Sequence, residues 1–278
     1  MIDTHIASIR IGVCTEPWAK LLGIYTQSFL KDKGIDNQIV LYRNNQELSN
    51  ALLSAAVRIL PTNLTDLPTT LSDGMTIAAL SERDSTRQCL ILPRSLAEKR
   101  SDDTLEGLKI GVYNAVHAAQ MSALFPDVTT EIHSSTPLEC IEALRNGDYD
   151  GCIMTTLTVK MLAIQAAEWE IRSFNPREFV PDAGQGVVCL MAATEDVSTR
   201  RLLKTVHAQK VALVTNVERT LKKLFNDTNI AAHCERDKMG NYHLSAAALV
   251  EGSLRKMRLS QSTTLGLAEN MYRGLINI

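Results

Sequence analysis

Apolar and polar positions alternate along this chain in two periods, one suited to strands and one to helices, and the two take turns from near the start. Ile9 to Val13 reads as a strand. Trp18 to Lys31 reads as an amphipathic helix that stops at Lys33-Gly34 with basic residues in its last turn. Gln38 to Tyr42 is the next strand and Glu47 to Val57 the next helix, followed by strands at Met75 to Leu80 and Gln88 to Leu92. Pro93 to Leu105 is polar and charged, as a linker would be. The cycle then restarts with strand Lys109 to Val112, helix Ala115 to Leu124 and strand Thr130 to His133. Helix Pro137 to Arg145 follows, ended by Asn146-Gly147, and then buried strand Tyr149 to Met154. A long helix-forming segment runs from Thr199 to Phe225. Strands Ile230 to Glu235 and Tyr242 to Val250 turn about Met239-Gly240-Asn241, and a last helix covers about Thr263 to Leu275. This pattern predicts layered α/β structure with mostly parallel sheets, plus an α+β tail.

A length of 278 residues exceeds one small core and fits two or three domains. The formal charge of -2, without a Lys/Arg-rich stripe, argues against nucleic acid as a partner. Apolar residues make up 45% of the chain, yet no apolar run approaches the roughly 18 residues of a membrane span. Met1-Ile2-Asp3-Thr4-His5 lacks the character of a signal peptide, so the expectation is a soluble cytoplasmic protein without a membrane partner. The six cysteines have no close zinc or redox spacing; Cys89, Cys152 and Cys189 read as buried small hydrophobes. His207 and His233 lack ligand spacing, so no metal is expected. Nor is there a Ser-His-Asp signature or a phosphate loop.

The stretch Asn63-Leu64-Thr65-Asp66-Leu67-Pro68-Thr69 holds one carboxylate just before a Leu-Pro that forbids helix. By itself Asp66 reads as an Asx-turn residue. Four further blocks surround this region in order. They are Arg10-Ile11-Gly12 with Pro17-Trp18-Ala19, Leu144 through Asp150, Ala183-Gly184-Gln185-Gly186, and His207 followed by Val217-Glu218-Arg219-Thr220. Together the five blocks resemble the porphobilinogen deaminases (hydroxymethylbilane synthases), transferases of haem and other porphyrin biosynthesis. The resemblance implies three domains: 1–94 with 181–200 and 95–180 as two periplasmic-binding-protein-like lobes around a cleft, and 201–278 as a small α+β domain.

The family's chemistry joins porphobilinogen units into linear hydroxymethylbilane on a dipyrromethane primer held by a cysteine thioether. It needs a carboxylate for cationic intermediates and pyrrole N–H groups, guanidinium groups for substrate carboxylates, and an anchoring thiol. The resemblance gives the first role to Asp66. Asn63 and Thr65 stand where the family has Ser and Lys. Asn114, as a helix cap with free N–H groups nearby, His117 and Gln185 are the other candidate substrate-binding residues. The sequence departs from the family elsewhere. Arginines expected after Gly111 and at Cys14, Ser134 and Cys140 are absent, and the glycine- and lysine-rich lid between Tyr42 and Glu47 is reduced to Arg43-Asn44-Asn45-Gln46. The primer cysteine falls at Asn226, with Cys234 the nearest thiol. Arg10, Arg83, Arg87 and Lys160 remain as alternative sources of charge, though Glu82-Arg83-Asp84 with Arg87 also reads as a solvated cluster.

Three readings follow: a synthase working through Asp66 with an unusual binding set, a non-catalytic relative (a pseudoenzyme) that binds a small pyrrole or other small anionic ligand or regulates, and a solute-binding protein of similar lobes. The Gly-Gln-Gly and Val-Glu-Arg blocks speak against the third. The simultaneous loss of arginines, lid and thiol favours the second. A monomer is expected by family resemblance.

Overall fold

The computed structural model describes residues 8–98 and 104–277. The segment Met1–His5 and the middle of the expected linker, 99–103, lie outside the described residues. In chain order the first elements are β1 (Ile9–Cys14), α1 (Pro17–Asp32), β2 (Asn37–Tyr42), α2 (Asn45–Leu53), β3 (Leu60–Asn63), β4 (Met75–Leu80), β5 (Gln88–Pro93) and α3 (Arg94–Ala97). There follow β6 (Lys109–Val112), α4 (Ala115–Leu124), β7 (Thr129–Ile132), α5 (Pro137–Asn146), β8 (Gly151–Thr155), α6 (Thr156–Met161), β9 (Trp169–Ser173) and β10 (Val188–Ala193). The chain ends with α7 (Val197–Lys204), α8 (Gln209–Leu224), β11 (Ile230–Arg236), β12 (Tyr242–Val250), β13 (Ser253–Gln261) and α9 (Leu267–Ile276).

Two compact units result: Met1–Arg83 with Val187–Val211, and Asp84–Gly186 with Ala212–Ile278. In the first, β1 and β2 pair in parallel, and β10 pairs antiparallel with β3 on one side and β4 on the other. A bridge between Ile11 and Ile59 joins the two ladders, with Gly12 N donating to Ile59 O at 2.9 Å. Helix α1 begins where the Glu16 carboxylate accepts from the N–H groups of Trp18 and Ala19, with Pro17 in the first turn where no N–H is needed. Gly23 lets α1 approach β1 closely, since a Cβ there would stand 2.7 Å from a Val13 methyl. Ile11, Leu52, Val57 and Ile59 are fully buried in this unit.

In the second unit a five-stranded sheet runs β7-β6-β8-β5-β9. Its β6 is parallel to β7 and β8, while β5 is antiparallel to β8 and β9. A separate antiparallel sheet, β11-β12-β13, carries α8 and α9 on a core of Leu221, Cys234, Leu244 and Met271. Val116 on α4 and Val180 pack against Ala231 and Ala247 of that sheet, so the tail shares one apolar layer with the five-stranded half.

Several expectations from periodicity are revised. The sheets are mixed, because β4, β5 and β10 enter antiparallel. The long helix from Thr199 is two helices interrupted at Thr205–Ala208, where His207 Nδ1 accepts the Leu80 N–H at 3.0 Å and Ala208 N donates to Leu80 O. Those bonds tie the interruption to β4 and outweigh helix continuity. Helix α2 stops at Leu53, before the left-handed Ala55, rather than at Val57. Strands β3, β9 and β13 and helices α3 and α6 are additions to the sequence reading. Gln88–Pro93, expected in the first lobe, hydrogen-bonds into the sheet of the second unit.

Candidate functional site

Asp66 sits in a turn directly after β3, where its N–H donates to Asn63 O at 3.1 Å. Its exposed carboxylate accepts from both residues paired with it in the sequence reading: Asn63 Nδ2 to Oδ2 at 2.9 Å and Thr65 Oγ1 to Oδ1 at 3.1 Å. Buried Leu64 anchors the turn, its N–H donating to Val187 O. These bonds hold both oxygens in fixed positions at the surface of the first unit. A carboxylate so held can accept N–H donors or stabilise positive charge.

The other three candidates meet in the second unit. Asn114 caps α4, with Oδ1 accepting the His117 N–H at 2.8 Å. His117 is fully buried against Phe179, ring centroids 5.4 Å apart, and its Nε2 lies 3.0 Å from Asp182 Oδ2. The other oxygen of Asp182 accepts from Asn114 Nδ2 at 3.4 Å. Burial alone would raise the Asp182 carboxyl. The charge and hydrogen bond of His117, the Lys222 ammonium and the Asn114 amide outweigh it and hold that carboxyl below its ordinary range. Gln185, also fully buried, accepts from Gln88 Nε2 at 2.8 Å and from Asp182 N at 3.2 Å, and donates to Thr86 O at 2.8 Å. Asp182 and Gln88 were missed from the sequence. Asp182 precedes the Gly-Gln-Gly block directly, and that adjacency was the available signal.

The consequence is electrostatic. The Asn114 amide and the His117 imidazole, where the resemblance would seat a substrate carboxylate, already contact a carboxylate of the chain itself.

The Gly-Gln-Gly turn is secured from the other side by Glu218 on α8, which is fully buried. Its Oε2 accepts the Gly184 N–H at 2.8 Å and its Oε1 the Cys234 N–H at 2.7 Å. Gly186 is left-handed at φ 77°, and a Cβ there would lie 2.9 Å from the carbonyl oxygens of Asp84 and Ser85. Only glycine satisfies both conditions.

A thioether-linked dipyrromethane does not fit the thiols present. Asn226, at the family's cysteine position, is an exposed turn residue with φ 54°. Cys234 is 1% exposed in the core of the antiparallel sheet. All six cysteines fall among the described residues, and Cys14 alone is not fully buried. Burial and the nearby Glu16 and Glu47 carboxylates push the Cys14 thiol up, away from thiolate, and it donates to Asn45 Oδ1. A hydrogen bond from Cys152 and then the nearby His133 hold the Cys140 thiol below its ordinary range, but it is buried. Of the alternative cations, Lys160 is held by both oxygens of Asp84, at 2.6 and 2.9 Å, and Arg10 donates to Ala55 O.

The molecule is thus an α/β protein of two compact units, with a surface carboxylate fixed in a turn and a buried polar cluster of His117, Asp182 and Gln185 at a Gly-Gln-Gly turn. It belongs to the porphobilinogen deaminase family: the model of the family's dipyromethane cofactor binding domain matches residues 42–201, more than half of the chain. Among curated relatives, the porphobilinogen deaminase of Streptococcus sanguinis is 26% identical over 235 residues, covering 83% of this chain and 76% of that one. That of Acetivibrio thermocellus is 28% identical over 182 residues, covering 65% and 59%. That of Thermus thermophilus is 29% identical over 162 residues, covering 58% and 52%, so the chain spans little more than half of the latter two. Solved structures resemble it more loosely. The methionine-binding protein MetQ matches with TM-score 0.44 at 13% identity over 79% of this chain and 95% of that one. The aliphatic sulphonate binding protein SsuA of Escherichia coli matches with TM-score 0.42 at 14% identity over 79% and 71%. Among the described residues no helix is long and apolar enough to cross a membrane.

Proposed function

We propose that this protein is a non-assembling relative of the porphobilinogen deaminases: it binds a small pyrrole-type ligand through Asp66 and does not build a chain on a cysteine. The observation that carries the reading is Asp182, whose carboxylate accepts from the side chain of the α4 cap residue Asn114 and pairs with His117. A polycarboxylate chain would have to displace it. Burial of five of the six thiols, with Cys14 engaged by Asn45 and pushed away from thiolate, supports the same conclusion, because a primer needs a reactive sulfur that can reach substrate. Asp66 is the feature that favours the second reading, a working synthase, since hydrogen bonds from Asn63 and Thr65 orient its two oxygens at the surface.

Calorimetric titration with porphobilinogen, combined with an enzymatic assay for released ammonia, tests the proposal. The wild type binds porphobilinogen and releases no ammonia. Asp66→Asn weakens binding by about tenfold or more, the equivalent of one charge-assisted hydrogen bond. Ammonia release, or absence of any binding, overturns the reading.

A further inference from the structure

Away from Asp66 and the His117 cluster, three side chains of different elements converge under the five-stranded sheet. They are His133, just after β7; Cys140, in the first half of α5; and Cys152, on β8. One ligand atom from each lies within 4.8 Å of the others, and all three residues are buried. The Cys140 sulfur is 3.6 Å from His133 Nε2 and 3.7 Å from Nδ1. A tetrahedral zinc with bonds of about 2.3 Å to sulfur and about 2.05 Å to nitrogen separates those two ligand atoms by about 3.6 Å. The spacing already present is therefore that of two ligands sharing one ion.

The fold makes this meeting in a specific way. Strands β7 and β8 flank β6 in parallel, with Gly111 on β6 paired to Glu131 and to Cys152. His133 N donates to Val112 O at 3.0 Å, which fixes the chain as it leaves β7. The capping box of Thr136 and Glu139 starts α5 so that Cys140 turns inward. Gly111 forms the floor. A Cβ there would stand 3.0 Å from the Cys152 sulfur and 3.1 Å from the His133 ring, so this strand position stays bare beneath the cluster. The Tyr113 ring lies 4.8 Å from that of His133, and its hydroxyl is 3.8 Å from the Cys140 sulfur, bordering the site with a polar group.

We propose that His133, Cys140 and Cys152 form a zinc site. Charge balance selects a divalent ion, since one with two thiolates and a neutral imidazole gives the neutral cluster a buried position tolerates, and the soft thiolate and imidazole donors select zinc among divalent ions. Coordination sends the thiol protons to solvent, turns one His133 nitrogen to the ion, and leaves the fourth position to water beside Tyr113. The ion ties β7, α5 and β8 together. The site is independent of the pyrrole-binding reading and stands or falls separately.

The test uses the full chain, stripped with a chelator under reducing conditions and then titrated with zinc and, in parallel, with cobalt(II). One zinc per chain is expected. Cobalt should give sulfur-to-metal charge-transfer bands of two thiolates, and Tm should rise with zinc over the chelated protein. Cys140→Ser and Cys152→Ser lose stoichiometric zinc and the charge-transfer bands. Gly111→Ala, which crowds the floor without removing a ligand, weakens binding by about tenfold. Wild-type protein that stays metal-free, prefers copper(I) to zinc, or has Cys140 and Cys152 joined as a disulfide overturns the proposal. So does zinc retention by both serine variants. The wild-type titration decides the matter even if a variant fails to fold.

Discussion

Replacing Glu218 with glutamine changes one charge and almost no volume, and it perturbs the carboxylate that holds the Gly-Gln-Gly turn to β11 and has His233 Nδ1 3.6 Å away. In the native protein the carboxylate receives two backbone N–H groups, Gly184 at 2.8 Å and Cys234 at 2.7 Å, with no exposure to solvent. Glutamine offers one acceptor oxygen and points an NH₂ group at the other N–H. One charge-assisted bond is lost, at about 1.5–3 kcal/mol, and one buried N–H is left unpaired, at about 1–3 kcal/mol. Relief from burying a carboxylate offsets part of this, so the net expectation is about 3 kcal/mol. With an m-value of about 2 kcal/mol/M, the urea midpoint followed by far-ultraviolet circular dichroism falls by about 1.5 M. Amide exchange should accelerate at Gly184 or Cys234 before the rest of the unit responds. A midpoint shift below about 0.3 M, with both amides still protected, would refute the claim that Glu218 is the clasp.

Other consequences are simpler to check. Gly186→Ala must place a Cβ 2.9 Å from two carbonyl oxygens at φ 77°, so it should cost at least about 2 kcal/mol in the same urea assay. The carboxyls of Asp182, Asp196 and Asp237 all lie below the usual range. For Asp237, His243 is the main cause and holds it at about 2. For Asp196, burial is outweighed by Thr199, Arg58 and Ser198. Depressed carboxyls stabilise the fold above their unfolded pKa and lose that contribution as pH falls. The urea midpoint should therefore be level from pH 7 to about 5 and drop below about 4, with a shallower acid limb in Asp182→Asn. A midpoint that rises on acidification contradicts the assignment. Asp66→Asn should leave the unfolding free energy from the urea assay within about 0.5 kcal/mol of wild type, because the carboxylate is exposed and its turn is also held by backbone bonds.

The periodic elements were legible because their faces are simple. Helix α4 matches Ala115–Leu124 as read, and Gly147 ends α5 in the left-handed conformation that Asn146-Gly147 announced. What escaped depends on tertiary pairing. Pro61 makes Leu60–Asn63 look unlike a strand, yet β3 is an outer strand of its ladder, where a missing N–H is tolerated. β13 carries Arg255, Lys256 and Arg258 and is shaped by the left-handed Glu251-Gly252 turn, so its charge hid its period. The proximity of Asn63 and Thr65 to Asp66 was legible because the three are neighbours in sequence. Asp182 could not be linked to His117 from spacing, nor His133 and Cys140 to Cys152, since only the order of strands in a sheet brings such residues together.

Intact-protein mass spectrometry before and after incubation with porphobilinogen tests the central claim most directly. The account predicts the mass of the unmodified chain under both conditions, with porphobilinogen recoverable unchanged. A stable increment of two joined pyrrole units, lost when one cysteine is replaced by serine, would show a primed synthase and contradict it.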